Sequence, residues 1–409
     1  MKFTFYGGAD EVGGLAVAAE DGFGRVMFDY GLIPKDPPVY PLPAPPVDEI
    51  ILTHAHVDHS GMIPWLTSRY QVPVHGTYPT KEVGKLLMLD SLKVAKMEGY
   101  LEPYENGDVE DTMSLFAVER FNNGFEIGGT EFIPRQAGHI PGAAMIEIKG
   151  EQTVLFTGDI HTAETRLVPG AIVPKADMLV IESTYSGRDH PDRKKTEDEL
   201  IDKVREIVGR GGQAILPAFA VGRTQELLMI LEKTGYNIWV DGMGRKINRI
   251  YNHSKEYVTS HNSLKRACLK AYEVETNEDR FRSDRADVIV TTSGMLDGGP
   301  ALTYIERIRN DPKSGILMSG FQVEESNGYR LLNSGQLEIN GVIEKVNCEV
   351  QRFDLSAHAG HSELVEFVRK CNPETVVLVH GDGEKRQILA DELDGRKVFL
   401  PKKGETLTF

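Results

Sequence analysis

The chain has 409 residues, of which 40% are hydrophobic and 26% charged. That size and balance predict a globular protein of roughly two domains. No apolar run reaches the roughly 18 residues of a membrane span and no signal-type segment opens the sequence, which argues against a membrane partner and against export. The net charge of −15 speaks against nucleic-acid binding over the whole surface, though not against a local basic groove. Three scattered cysteines, Cys268, Cys348 and Cys371, read as reduced thiols and place the protein in the cytoplasm.

In chain order, Lys2 to Tyr6 alternates as a strand does, and Val26-Met27-Phe28 is a second strand that delivers Asp29. Residues 34–46 carry seven prolines and form an extended, non-helical connection. The run Val47, Ile50, Ile51, Leu52 is a short buried strand. At its tip stands Thr53-His54-Ala55-His56-Val57-Asp58-His59, closed by Ser60-Gly61 as a turn. Residues 79–98 have helical spacing. Strands at Thr153–Phe156, Met178–Ile181 and Val376–Val379 lead into Asp159, Glu182 and His380, and His139 lies in Gly138-His139-Ile140-Pro141-Gly142.

From Glu197 the character changes. Helices at 197–208 and 223–233 alternate with strands at 214–216, 238–240, 288–290 and 316–319, which predicts a parallel-sheet α/β domain of its own.

Imidazole and carboxylate are the ligands that a borderline-soft dication such as zinc accepts. No packing argument needs four such groups at one strand end, because each must be desolvated or paired. The cluster at 54–59 cannot close two metal sites alone, so the later His and Asp residues are the expected completion.

The assembled motifs resemble the metallo-β-lactamase superfamily and, within it, the β-CASP nucleases, nearest to archaeal cleavage-and-polyadenylation-factor-like RNases and RNase J. The matching pieces are Asp29 in Phe-Asp-Tyr-Gly, HxHxDH at 54–59, His139 and Asp159. They continue with Glu182 in Ile-Glu-Ser-Thr-Tyr, His358 in Ser-Ala-His and His380 in Val-His-Gly-Asp.

The resemblance implies an αββα sandwich, class α/β, formed by residues 1–186 and 353–409 and interrupted by an inserted β-CASP domain at 187–352 that acts as a lid. It implies two Zn²⁺ ions. His54, His56 and His139 would hold one, Asp58, His59 and His380 the other, with Asp159 bridging. Asp29 would orient a ligand or the attacking water, and Asp58 counts as catalytic as well as ligating. His358 would be the general acid, oriented by Glu182. Ser356, His361, Arg223 and Arg245 are candidate phosphate contacts.

The implied substrate is single-stranded RNA, cut as an endonuclease, a 5′-to-3′ exonuclease or both. A homodimer and membership of an RNA-processing or decay complex are implied by the likeness alone. Neither a KH-like extension before residue 1 nor a long tail after Phe409 is expected. A non-catalytic scaffold, a β-CASP DNA nuclease and a flavo-di-iron oxidoreductase are the alternatives. An insert of roughly 165 residues is domain-sized and argues against a plain lactamase-type hydrolase.

Overall fold

The computed structural model describes residues 1–409. The chain forms two compact units: residues 1–164, 168–189 and 357–409 make the first, and residues 165–167 and 190–356 the second. The short piece Thr165–Leu167 joins the second unit ahead of its main segment, which residue pattern does not announce.

The first unit is built on two seven-stranded sheets. One runs Thr406–Thr408, Lys2–Gly7, Ala16–Asp21, Gly24–Phe28, Glu49–Ile51, Val74–Thr77, Phe116–Glu119, and the other Lys397–Phe399, Thr375–Val379, Met178–Glu182, Thr153–Phe156, Ala144–Lys149, Thr130–Gln136, Phe125–Ile127. Period-two alternation sends Phe3, Phe5, Val17, Val26 and Phe28 of the first sheet into one core with Ile146, Val154, Phe156, Val180 and Val377 of the second. Phe28 and Phe156 stack across it with centroids 4.6 Å apart, a contact worth roughly 0.5–1.5 kcal/mol beyond area burial.

The opposite face of the first sheet (Ala16, Ala18, Met27, Ile50) packs on Ile63, Leu66, Met88, Leu92 and Val109 of three helices, Ile63–Tyr70, Tyr78–Glu98 and Asn106–Ser114. The long helix starts where Thr77 Oγ1 accepts from the Thr80 amide and ends at Gly99 with φ 72°, the left-handed stop that glycine permits. On the second sheet Leu155, Leu179, Ile181, Val376 and Leu378 are buried on the other face as well. This is the expected αββα layering.

The predicted strands and helices of both units appear, with shifted ends. The helix expected from 197 starts at Arg193, capped by the Asp192 side chain on the Lys195 amide. The turn expected at Ser60-Gly61 is instead a one-turn helix, Val57–Ser60, closed by the Gly61 amide on the Val57 carbonyl. Four residues are too few for a hydrophobic period to show. Residues 34–46 contain no helix.

The second unit centres on a six-stranded sheet in the order Tyr272–Glu273, Ile238–Asp241, Val288–Thr291, Ala214–Pro217, Gly315–Met318, Glu349–Arg352. Every pairing is parallel. Its four inner strands are short, buried and mostly apolar, as a sheet covered on both faces requires, whereas the edge strands Tyr272–Glu273 and Glu349–Arg352 are polar and only partly buried. Ile215, Ile289, Ile305, Ile316, Met318 and Leu337 form its core.

Candidate metal centre

The site is assembled by strands of the first unit that end side by side. Gly24–Phe28 and Glu49–Ile51 are parallel, as are Thr153–Phe156, Met178–Glu182 and Thr375–Val379. Their tips therefore deliver Asp29, the 54–59 segment, Asp159, Glu182 and His380 to one edge of the sandwich. Asp29 and His380 both sit in the left-handed region, φ 55° and 51°. Non-glycine residues hold that conformation only where the surroundings over-determine it.

The donor atoms converge in three overlapping groups: His54, His56, His139 with Asp159; Asp58, His59 with His380; and Asp159, Glu182 with His380. His54 Nε2 and His139 Nε2 each lie 3.1 Å from His56 Nδ1. Asp159 Oδ2 is 3.6 Å from His54 Nε2, 3.8 Å from His139 Nε2 and 3.4 Å from His59 Nε2. His380 Nε2 is 3.4 Å from Asp58 Oδ2, and its Nδ1 is 3.6 Å from Asp159 Oδ1.

Outer partners set the tautomers. Thr53 Oγ1 donates to Asp29 Oδ2 at 2.8 Å and so accepts from His54 Nδ1 at 3.2 Å. His139 Nδ1 donates to the Ala357 carbonyl at 2.8 Å, and His59 Nδ1 donates to Asp29 Oδ2 at 2.7 Å. The Gly13 amide donates to His380 Nε2 at 3.0 Å, while Thr184 Oγ1, which donates to the His380 carbonyl, accepts from Nδ1 at 3.1 Å. In His54 and His139 the proton is spent outward at Nδ1, leaving a lone pair at Nε2, while His380 Nε2 is met by the Gly13 amide and His59 Nε2 faces Asp159.

The resulting pile-up of lone pairs and carboxylates fits a cation. His59 Nε2 and Asp159 Oδ1 are buried with no hydrogen-bond partner, and buried polar atoms are rarely left so. Burial first, then the neighbouring rings, holds His54 and His139 neutral and lowers His56 to about 4. Burial alone would raise Asp58 and Asp159, but His59 and His380 overcome it and hold both ionised. Burial would lower His59, yet Asp159 and Asp29 raise it well above the usual histidine range. A proton there balances charge that a dication would otherwise balance.

Beside this centre, His358 Nδ1 lies 3.1 and 3.2 Å from the two oxygens of Glu182, whose Oε1 also accepts from the Ile160 amide at 2.8 Å. Burial opposes a charge on His358, and the Glu182 and Asp159 carboxylates outweigh it, raising its pKa to about 9. The His358 ring packs 4.5 Å from His139 and 5.9 Å from Tyr185. His361 is engaged at both nitrogens: Nδ1 accepts from the Gly187 amide at 3.0 Å and Nε2 donates to Glu392 at 2.9 Å.

Arg223, Arg245 and Ser356 belong to the second unit. Arg223 is 7% exposed and donates to Glu226 at 2.7 Å. Arg245 donates from Nε to the Gly242 carbonyl at 3.3 Å, and the Ser356 carbonyl accepts from Arg193 at 3.0 Å. The pairing of Arg223 was legible as an i, i+3 carboxylate, and sequence reading passed over it. It also missed Thr53, Thr184, Gly13 and the Ala357 carbonyl. Thr53 and Thr184 have a signal, since each lies within two residues of a motif residue. A backbone amide or carbonyl has none.

An αββα sandwich with a His/Asp cluster at the tips of its strands defines a metallo-hydrolase of the lactamase type. The family models agree. The metallo-β-lactamase superfamily matches residues 20–208, the β-CASP domain 224–331, and a Zn-dependent metallo-hydrolase RNA specificity domain 343–401. The chain is 35% identical to the probable RNase MJ4 of Methanocaldococcus jannaschii over 100% of both chains. It is 35% identical to the RNase aCSPSF2 of Saccharolobus solfataricus over 98% of this chain and 84% of that one. With the transcription termination factor FttA of Methanocaldococcus jannaschii it shares 33% over 98% and 69%. A crystal structure of a protein of unknown function from Enterococcus faecalis V583 shares the fold, with a TM-score of 0.61 at 15% identity over 99% of each chain. The chain belongs to the β-CASP family of metal-dependent nucleases within the metallo-β-lactamase superfamily. No helix is long and apolar enough to cross a membrane.

Proposed function

We propose that this chain is a zinc-dependent ribonuclease that hydrolyses phosphodiester bonds of single-stranded RNA. The observation that carries the reading is the convergence of His54 Nε2, His56 Nδ1 and His139 Nε2, with 3.1 Å between neighbours. A proton on His56 Nδ1 can be directed at only one of its two neighbours, so at least one close pair of lone pairs remains for a cation to satisfy.

His54, His56, His139 and Asp159 would hold one zinc, and Asp58, His59, His380 and Asp159 the second. Bound there, the two ions supply Lewis-acid polarisation of the phosphodiester and a lowered pKa for water at the site. The chain's own residues do the rest. Asp29 and Thr53 fix His59 and His54 in the tautomers that point Nε2 inward. Thr184 accepts the Nδ1 hydrogen bond of His380, whose Nε2 would exchange the Gly13 amide for the ion. Glu182 engages His358 at Nδ1, so His358 exchanges its proton at Nε2 and delivers it to the departing ribose oxygen. Ser356, Arg223 and Arg245 remain the candidate contacts to RNA phosphates. Of these, Arg223 must exchange its Glu226 partner to serve.

RNA rather than DNA is supported by the match of residues 343–401 to an RNA specificity domain and by the names of the two relatives called RNases. Pairing with a second copy, action within a processing or decay complex, and a cytoplasmic location belong to the same reading. Light scattering tests the first of these.

The deciding experiment takes one single-stranded RNA labelled at its 5′ or 3′ end and carrying a 5′-hydroxyl, monophosphate or triphosphate. Metal content is measured on the same protein, and His56→Ala with Asp58→Ala is the control. Metal-dependent cleavage lost in the control is expected. Mononucleotide from the 5′ label would show exonuclease action, and internal cuts indifferent to the 5′ end endonuclease action. No cleavage of any RNA by zinc-loaded protein would overturn the proposal.

A further inference from the structure

The helix Gly383–Asp391 follows the strand that ends in His380, and its Arg386 is 3% exposed. A buried charge is costly unless something meets it. Here one guanidinium nitrogen, Nη1, shares its two N–H groups among three main-chain carbonyls rather than meeting a carboxylate: Ala9 at 2.7 Å, Leu378 at 2.9 Å and Pro401 at 3.0 Å. The three come from separate segments. Ala9 lies in the loop after the first strand, Leu378 in the strand Thr375–Val379 and Pro401 beyond the strand Lys397–Phe399.

Two of those segments frame His380. Its amide donates to the Gly8 carbonyl at 2.7 Å, and its Nε2 accepts from the Gly13 amide at 3.0 Å. Gly8, Ala9 and Gly13 belong to one loop. Leu378 stands two residues before His380 on the strand. The loop is packed too closely to carry larger residues: a Cβ on Gly8 would come 2.6 Å from the Leu15 Cα. His380 itself holds a left-handed backbone, φ 51°, which relaxes unless both its neighbours are held. Arg386 grips both through one guanidinium.

We propose that Arg386 is a positioning residue for the metal centre, tying the residue 8–14 loop to the strand Thr375–Val379 so that His380 is set for the cation it shares with Asp58 and His59. The inference rests on the two-ion reading above. A lysine keeps the charge, but its ammonium stops one bond short of the place of Arg386 Nη1, on a flexible stem, and does not hold the three carbonyls together as firmly.

The test measures stepwise zinc affinity by competition with a chromophoric chelator on the full chain, for wild type, Arg386→Lys and Arg386→Ala, with circular dichroism of each metal-free protein beside it. Wild type should take two ions. Arg386→Lys should keep its fold and its affinity for the ion of His54, His56 and His139, while the other ion weakens by roughly 10–100-fold, as loss of outer support does elsewhere. Millimolar guanidinium should restore the second ion to Arg386→Ala; if that variant does not fold, Arg386→Lys decides alone. Both affinities unchanged in Arg386→Lys, or both weakened equally, would overturn the proposal. Fewer than two ions on wild type would overturn the ligand reading itself, and that result is visible before any variant is made.

Discussion

The histidine cluster of the first unit and the arginine clusters of the second are both dense in polar groups, and they satisfy them in opposite ways. Around Asp159 the partners lie outward, so that tautomers are fixed and acceptor atoms are left facing one another, His59 Nε2 and Asp159 Oδ1 among them. In the second unit the basic residues meet carboxylates of their own fold. Arg193 and Arg223 both pair with Glu226, Lys194 with Asp198, Arg249 with Glu273 and Glu275, and Arg280 with Asp241. A polar cluster that leaves its inner atoms without partners is built for something that arrives later. One that closes on itself contributes to folding. A count of charges along the sequence does not separate the two.

The sharpest way to break that contrast is to remove the inward-facing donors. His56→Ala with Asp58→Ala should abolish metal-dependent RNA cleavage, by at least roughly 10⁴-fold, while the fold persists. Retained cleavage would mean that the converging lone pairs serve no cation. Next in size, His358→Ala should lower kcat by roughly 10²–10⁴-fold with zinc content unchanged. Glu182→Gln should lower it less, because His358 stays but its orientation loosens. A loss of zinc from His358→Ala would instead make that residue a ligand.

Asp29→Asn should act through metal. It weakens the support of His59 Nδ1, and affinity should fall by roughly 10–100-fold, read by chelator competition. In the second unit Asp241→Asn should show the reverse pattern. It loosens the bonds from Arg280 and Tyr304 and should cost about 1–3 kcal/mol of stability in denaturant melts, with cleavage per folded molecule unchanged.

The smallest effect is pH-dependent. Glu147 is buried, which alone would raise its pKa, but Lys149 and Arg135 lower it overall. A carboxylate lowered in the folded state adds stability above its unfolded pKa and loses it as pH falls through the folded one. Glu147→Gln should therefore cost about 1 kcal/mol at pH 7, and the difference should shrink as pH falls below the ordinary glutamate range. A difference that grew on acidification would reverse the sign argued here.

Much of this was legible because the fold repeats one device. A β-rich run ends and a His, Asp or Glu follows, at Phe28/Asp29, Leu52/His54, Phe156/Asp159 and Val379/His380. Parallel pairing of those strands then brings the tips together, a topological fact the motif order carries. The supporting contacts were not legible, because the Gly13 amide and the Ala357 carbonyl have no side-chain signature and act from 367 and 218 residues away. The strand Ala16–Asp21 escaped for another reason: three of its six residues are alanine, a poor strand former that packs well here only because the first sheet is covered on both faces. For Arg223 the sequence shows a basic residue beside a glycine turn, and the structure adds that Glu226, one helical turn on, engages it.

The edge strand Thr406–Thr408 pairs with Lys2–Gly7, and the Met1 amino group donates to the Phe409 carbonyl. Residues 2–7 leave the ribosome long before their partner strand. Residues 190–356 emerge complete and can fold on local, parallel-sheet contacts, while the first sheet waits for its outermost strand and the second for the strand that brings His380. Until then the motif at 54–59 lacks His380, the last member of its donor cluster. A newly made chain thus carries the other donor residues before His380, so the donor clusters close only after the strand Thr375–Val379 has joined the second sheet.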